Sequence, residues 1–184
     1  TVAKISLRVN PDIDAHTHKY ISTGRKEDKF GISPWEFPAV ANLLKTINNV
    51  KLIGLHFHVG SQITDMSVFP LLCKMVEELQ KWWIDNGFKI ENINLGGGLG
   101  VDYVDPIGNP IAPFEEYFSL INKNLIVRPG QKVHFEPGRA IVAQCGHLIT
   151  RVLYVKIGQK MKFAILDAGM NDLIRPALYQ AKHK

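Results

Sequence analysis

The stretch LIGLHFHVG at residues 52–60 is a continuous apolar run that contains two histidines and ends in glycine. A short run of this kind, bounded by glycine, is typical of a buried β-strand. After it, apolar side chains recur at steps of three and four residues up to Gly87: Val68, Leu72, Met75, Val76, Leu79 and Trp83. That spacing predicts a long amphipathic helix. A further run at residues 90–95 predicts the next strand, so the segment has the order strand, helix, strand.

The same order extends toward the N-terminus. Residues 3–9 (AKISLRV) alternate as a strand does, and Asn10 and Pro11 end them. A helix is predicted from about Ser33, because Ser33 and Glu36 have the spacing of a capping box and Pro34 suits the first helical position. Its apolar stripe would consist of Val40, Leu43, Leu44 and Ile47.

A third unit follows toward the C-terminus. A helix is predicted to begin at Pro113, with Glu115 and Glu116 in its first turn. Its inward face would carry Phe114, Tyr117, Phe118 and Ile121, and residues 132–136 predict a fourth strand. Strands alternating with amphipathic helices predict an α/β fold with a parallel sheet, open or closed into a barrel. Because a complete (β/α)8 barrel takes about 250 residues, four strands correspond to half of one.

The rhythm changes near residue 140. The stretches AIVAQ, HLITRVLYVKI and KFAILDAG are strand-like, and the short turns between them leave no room for crossover helices. Such strands must pair antiparallel. We therefore expect two domains, a partial α/β barrel at residues 1–139 and the start of a β-rich domain at residues 140–184.

Composition excludes several classes of protein. The 184 residues are 46% hydrophobic and 21% charged, as in globular proteins and unlike disordered chains. The longest apolar runs are too short to span a bilayer. The two cysteines, Cys73 and Cys145, show no metal-ligand or disulfide spacing, which favours a reducing compartment, the cytoplasm or a plastid-like stroma. The net charge of +5 is scattered along the chain, so neither a nucleic-acid nor a membrane partner is expected.

Unusual polar residues cluster directly after the predicted strands. They lie at Arg8 and Asn10 and in the segments 56–62, 96–100 and 136–139. In a parallel α/β fold the carboxyl ends of the strands lie at one edge, where active sites form. We therefore expect these segments to meet at one site.

Two of these segments allow more than one interpretation. The glycines of NLGGGLG would let backbone amides approach a phosphate, but the spacing fails the dinucleotide fingerprint and a tight turn explains them equally well. In EPGR, Glu136 and Arg139 form either a local salt bridge or a pair that binds a cationic nitrogen and an anion.

The histidines are also ambiguous. His56 and His58 lie two apart on a predicted strand, so both rings can face one side as a metal pair would, although a core histidine is the simpler interpretation of His56. His16 and His18 repeat the spacing in a loop, where solvated side chains are expected.

Taken in order, RVNPDIDAHTHKYISTG with KFGI, then GLHFHVGSQ, NLGGGLG, HFEPGRAIVA and DAGMNDLIRPALY resemble the motifs of the diaminopimelate decarboxylase family across nearly the whole chain. That family belongs to the alanine-racemase-like pyridoxal 5'-phosphate enzymes, with an α/β barrel followed by a β domain. The resemblance implies that the four strands are the second half of the barrel. It also implies decarboxylation of meso-diaminopimelate to L-lysine by a homodimer.

Roles carry over by resemblance to nine residues. His58 would lie flat on the cofactor ring, and Ser61 with Gly96, Gly97 and Gly98 would hold its phosphate. Glu136 would pair with the pyridine nitrogen, and Arg139 would face the phosphate or a substrate carboxylate. Arg175 and Tyr179 would bind a substrate carboxylate.

Two family segments have no counterpart here: the strand with the lysine that links the cofactor, and the cysteine-containing segment that crosses the dimer interface. The resemblance therefore implies an internal fragment, inactive by itself. The alternatives are an ornithine or arginine decarboxylase, a noncatalytic pyridoxal phosphate carrier, and a barrel hydrolase whose metal would bind His56 and His58 with Glu136 and Asp167.

Overall fold

The computed structural model describes residues 1–11 and 30–181. Its main feature is a four-stranded sheet in the order β1-β2-β3-β4, in which every neighbouring pair is parallel. The strands are β1 (Ala3–Arg8), β2 (Val50–His56), β3 (Asn92–Asn94) and β4 (Lys132–His134). The predicted α/β class with a parallel sheet is confirmed.

A helical segment connects each strand to the next. These segments are a 3-10 turn (Pro34–Glu36) with α1 (Phe37–Thr46), α2 (Val68–Asp85) and α3 (Phe114–Asn124). The start predicted at Ser33 is confirmed, because the Ser33 amide donates to Oε2 of Glu36 at 2.8 Å. Pro38 falls in the first turn of α1, where a missing amide proton costs nothing. Among the described residues, the helices lack the length and hydropathy of a membrane-spanning segment.

The two faces of the sheet differ sharply in polarity. Leu55, Phe57, Ile93 and Leu95 are at most 2% exposed and belong to the apolar core. The intervening positions are polar, and register pairs them across the sheet in one row: Arg8 with His56, His56 with Asn94, and Asn94 with His134. Because successive side chains of a strand point to opposite faces, one face contributes to the hydrophobic core and the other presents chemistry.

Aromatic packing anchors the helices. Trp83 of α2 has no exposed surface, and its ring centroid lies 5.0–5.2 Å from those of Phe37, Trp82 and Phe88. Tyr117 of α3 packs edge-on against Phe69 of α2 at 4.7 Å.

A polar network fixes α2 against the segment before β4. The Gln80 side chain is fully buried, and its Oε1 accepts a hydrogen bond from Gln131 at 3.0 Å. Glu77 binds both terminal nitrogens of Arg128, at 3.2 and 2.6 Å. Gln131 also donates to the Ile90 carbonyl at 2.9 Å, so the network sets β4 beside the start of β3.

The described chain separates into two compact units, residues 1–101 with 111–141 and residues 102–110 with 142–184. The second unit contains the antiparallel pair β5 (Val152–Ile157) and β6 (Lys162–Leu166), which confirms the antiparallel pairing predicted there, and the short helix α5 (Arg175–Tyr179). The division into domains at residue 139 stays a prediction.

Several local predictions are wrong. AIVAQ is not a strand: Gly138–Val142 form the helix α4, closed by a hydrogen bond from the Ile141 amide to the Pro137 carbonyl. Strands β2, β3 and β4 end earlier than predicted, so His58 and Glu136 follow strands rather than lying on them. Leu43 and Phe118, which the apolar spacing predicts on inward faces, are 57% and 41% exposed.

Candidate active site

His58 lies just past the end of β2, where the chain turns toward residues 96–100, the glycine segment. Its Nδ1 accepts a hydrogen bond from the Gly97 amide at 3.3 Å. An accepting Nδ1 carries no proton, so the neutral ring holds its proton on Nε2. Burial lowers the pKa of His58, and the positive charge of Arg8 lowers it further, against an opposing effect of Glu136. His58 therefore presents a neutral, flat ring at neutral pH.

The glycine segment is dictated by close backbone contacts. A Cβ on Gly96 would collide with the Phe57 carbonyl oxygen, and a Cβ on Gly97 with the Glu136 carbonyl oxygen. Gly96 also has φ +71°, a left-handed conformation that favours glycine. Three strand ends can thus approach one another only because side chains are absent here.

Two hydrogen-bond donors lie in or beside this segment without a partner among the described residues. Among the described residues, the Gly98 amide and the Ser61 hydroxyl make no hydrogen bond. The loop that carries Ser61 is fixed to the glycine segment, because the Ile63 amide donates to the Gly98 carbonyl at 2.8 Å and the Gly100 amide donates to the Ile63 carbonyl at 2.9 Å. Two unpaired donors held on neighbouring segments are suited to an anion.

Glu136 is oriented by a residue that the sequence analysis did not identify. Nδ2 of Asn94 donates to Oε1 of Glu136 at 2.8 Å, while Oδ1 of Asn94 accepts the Gly96 amide at 2.8 Å. One side chain thus joins the carboxylate to the glycine segment. The two interpretations of Glu136 and Arg139, a local salt bridge or a pair that binds a ligand, both stay predictions.

His56 lies next to the same carboxylate. Its Nε2 is 3.4 Å from Oε1 of Glu136, but the pair lacks the geometry of a hydrogen bond, and this buried nitrogen has no other partner among the described residues. Burial lowers the pKa of His56 and the charge of Arg8 adds to the effect, while Glu136 opposes it. His56 is therefore a neutral neighbour of Glu136 at neutral pH.

Arg139 is held by the side chain of Gln62. Its Nη1 donates to Oε1 of Gln62 at 3.1 Å, and Gln62 itself has φ +60°, in the left-handed region. A non-glycine residue in that conformation carries strain of about 1–3 kcal/mol. The sequence offered no signal for Gln62 beyond its position after Ser61.

Arg175 and Tyr179 belong to the second compact unit. The Arg175 guanidinium lies 5.6 Å from the centre of the Tyr103 ring, and its Nη1 donates to the Tyr103 hydroxyl at 3.2 Å. Tyr179 ends α5 and is 62% exposed. Tyr103 is thus a further residue that sequence reasoning missed.

The remaining predicted site residues bear on the metal alternative. His16 and His18 lie outside the described residues. Within residues 1–11 and 30–181, no three His, Cys, Asp or Glu side chains are grouped as a metal site requires.

Comparisons with known proteins identify the family of the chain. Residues 1–143 match the family model for the pyridoxal binding domain of pyridoxal-dependent decarboxylases. The chain is 54% identical to the diaminopimelate decarboxylase of Bacteroides thetaiotaomicron over 183 residues, covering 100% of this chain and 47% of that protein. It is 45% identical to the Haemophilus influenzae diaminopimelate decarboxylase, covering 98% and 43%.

Among solved structures, diaminopimelate decarboxylase from Helicobacter pylori complexed with L-lysine matches with a TM-score of 0.88 at 40% identity, covering 100% of this chain and 45% of that one. The chain thus spans about half the length of its relatives. On the family match and these identities, it belongs to the pyridoxal-dependent decarboxylases, and residues 1–143 match the model of their pyridoxal binding domain.

Proposed function

We propose that the full-length protein carrying this chain is a pyridoxal 5'-phosphate-dependent decarboxylase that converts meso-diaminopimelate to L-lysine. The observation that carries this proposal is the grouping of a fixed carboxylate, a neutral imidazole and unpaired donors at one edge of the parallel sheet. The names of the most similar relatives support the choice of substrate.

The residues fit the cofactor. The Gly98 amide and Ser61 hydroxyl would donate to its phosphate, with Gly96 and Gly97 giving the close backbone approach and Arg139 adding positive charge. When bound, pyridoxal phosphate supplies an electron sink for the bond that breaks. A Cβ at Gly96 or Gly97 would disturb the backbone on which these donors depend.

Glu136 has the main electrostatic role in this proposal. A carboxylate beside a pyridine nitrogen raises the pKa of that nitrogen and keeps it protonated. Because Asn94 holds Oε1 of Glu136, Oε2 would remain to accept a hydrogen bond from the protonated nitrogen. The neutral state of His58 matters equally, since a cationic ring packed on the cofactor would oppose that protonation.

The substrate would be held by its distal carboxylate. Arg175 can form two parallel hydrogen bonds to a carboxylate, and its contact with Tyr103 restricts the orientation of the guanidinium. Tyr179, four residues further along α5, would add a hydroxyl donor. Ornithine and arginine have no distal carboxylate, so this clamp favours diaminopimelate.

The domain division at residue 139 and the homodimer belong to the same proposal. The first rests on the change from parallel to antiparallel pairing along the chain. The second rests on the family resemblance, and the molar mass of the full-length protein measured by light scattering tests it.

The decisive experiment compares Glu136→Gln with wild-type full-length protein. Decarboxylation of meso-diaminopimelate, ornithine and arginine is followed by CO2 release, together with the cofactor dissociation constant. We expect lysine formation from diaminopimelate alone, and a fall in kcat of at least about 100-fold in Glu136→Gln, of the order seen when one transition-state donor is lost, with cofactor still bound.

Glu91→Gln is the matched control, because the ion pairs of Glu91 within the described part of the chain are with the surface lysines Lys51 and Lys89. It should retain wild-type kcat. Activity on ornithine or arginine would reassign the substrate. An unchanged kcat in Glu136→Gln would show that Glu136 does not pair with the pyridine nitrogen.

A further inference from the structure

Gln62 joins three segments of the site through one side chain. Its Nε2 donates to the Val101 carbonyl at 2.6 Å, and its Oε1 accepts the Val101 amide at 3.3 Å. The same Oε1 accepts from Nη1 of Arg139 at 3.1 Å. The amide therefore pairs with both backbone groups of Val101, at the exit of the glycine segment, and holds Arg139 at the same time.

The two bonds to Val101 also fix the orientation of the amide. The donor must face the carbonyl and the acceptor must face the amide proton. A flipped amide would lose both bonds and would turn an NH2 group toward the Arg139 guanidinium. The bonds to Val101 therefore direct Oε1, the one acceptor of this side chain, at Arg139.

The backbone conformation agrees with this role. Gln62 and Gln180 are the two non-glycine residues with positive φ among the described residues. A strained conformation of this kind persists where surrounding contacts over-determine it, and such positions concentrate at ligand sites. At Gln62 the contacts are its own side-chain bonds and the pairing of Ile63 with Gly98 and Gly100.

We propose that Gln62 is a positioning residue for the anion-binding end of the site, which sets the Arg139 guanidinium relative to the Ser61 hydroxyl and the Gly98 amide. The inference rests on the proposed function, since the anion is the cofactor phosphate. Gln62 does not contact the anion; it acts through Arg139 and through the loop that carries Ser61.

The test separates the phosphate contacts from the rest of the cofactor. Apo full-length protein is titrated with pyridoxal 5'-phosphate and, separately, with pyridoxal, which lacks the phosphate. In Gln62→Leu, the dissociation constant of pyridoxal phosphate should rise at least about tenfold, as expected when a charge-assisted contact is misplaced. The dissociation constant of pyridoxal should change less than about twofold.

Gln62→Glu is the second variant, for the case in which Gln62→Leu fails to fold. It keeps the side-chain size but has no donor for the Val101 carbonyl, so the bond that fixes the side chain toward Arg139 is lost. It should weaken pyridoxal phosphate binding selectively as well. Gln159→Leu, at an exposed glutamine of the second unit, is the control and should leave both constants unchanged.

A double-mutant cycle excludes a merely structural role. In an Arg139→Gln background, Gln62→Leu should lose most of its effect on pyridoxal phosphate, because its target is gone. If Gln62→Leu weakened the binding of pyridoxal phosphate and pyridoxal equally, or weakened neither, the inference would be overturned. Binding of pyridoxal phosphate by the wild type would still leave the proposed function intact. Failure of the wild type to bind pyridoxal phosphate would overturn both.

Discussion

Gly97→Ala tests the backbone contact on which the site depends. The new Cβ would collide with the Glu136 carbonyl oxygen and lie 3.1 Å from its carbonyl carbon. The two segments cannot easily separate, because the Glu136 amide donates to the Gly96 carbonyl at 2.7 Å. The substitution must therefore displace Glu136 or break that hydrogen bond.

The cost follows from these two alternatives. Forcing an added methyl group into packed structure costs about 1–3 kcal/mol, and a lost hydrogen bond costs about 1 kcal/mol. Since either alternative suffices, we expect the free energy of unfolding to fall by about 1–3 kcal/mol. Displacement of Glu136 should raise the dissociation constant of pyridoxal phosphate by at least about tenfold.

Urea unfolding of the apo full-length protein measures the first effect, and fluorescence titration with the cofactor measures the second. Gly146→Ala is the control, because a Cβ there meets nothing within 4 Å. If Gly97→Ala matched Gly146→Ala in both measurements, the close approach of the two segments would be refuted.

Three further predictions concern the core, the pH dependence and the substrate clamp. Trp83→Ala should cost about 3–5 kcal/mol in urea unfolding, since Trp83 is fully buried, whereas Trp35→Ala, at a side chain 79% exposed, should cost less than about 0.5 kcal/mol. The pKa values of His56 and His58 are lowered in the folded protein, so the unfolded chain binds protons more readily. The free energy of unfolding should therefore be full above pH 6.5, the ordinary pKa of histidine, and should decline as the pH falls below it. Replacing both histidines with glutamine should flatten that decline. Arg175→Lys should raise the KM for diaminopimelate about tenfold with kcat little changed, because lysine cannot make the paired contacts; an unaltered KM would place Arg175 outside the substrate site.

The order of elements was predictable because helices and strands leave different apolar periods. The α2 stripe, for example, recurs at three and four residues, and Val68, Leu72, Val76 and Trp83 are all buried. Leu43 shows the limit of that reasoning. A stripe predicts which residues share a helix face, whereas burial depends on what tertiary structure covers that face.

The principal site segments were predictable from their positions after strands, but the contacts among them were not. Asn94 meets Glu136 because β3 pairs with β2 and β4 in one particular register, which no local pattern reveals. Gln62 reaches Arg139 across 77 positions in sequence. AIVAQ has the composition of a strand, yet Pro137 presets a helical start and the segment becomes α4.

The alternation along β2 and β3 separates the residues that affect helix packing from the residues that affect the electrostatics of the site. Substitutions at Leu55 and Ile93 change how the helices pack, while substitutions at His56 and Asn94 change the electrostatics around Glu136. The two sets can therefore be varied in separate libraries on the same strands. Deleting one residue within β2 would exchange the sets, because a shift of one position turns every following side chain to the opposite face. Insertions and deletions should thus be tolerated in the connecting loops and excluded from these few residues.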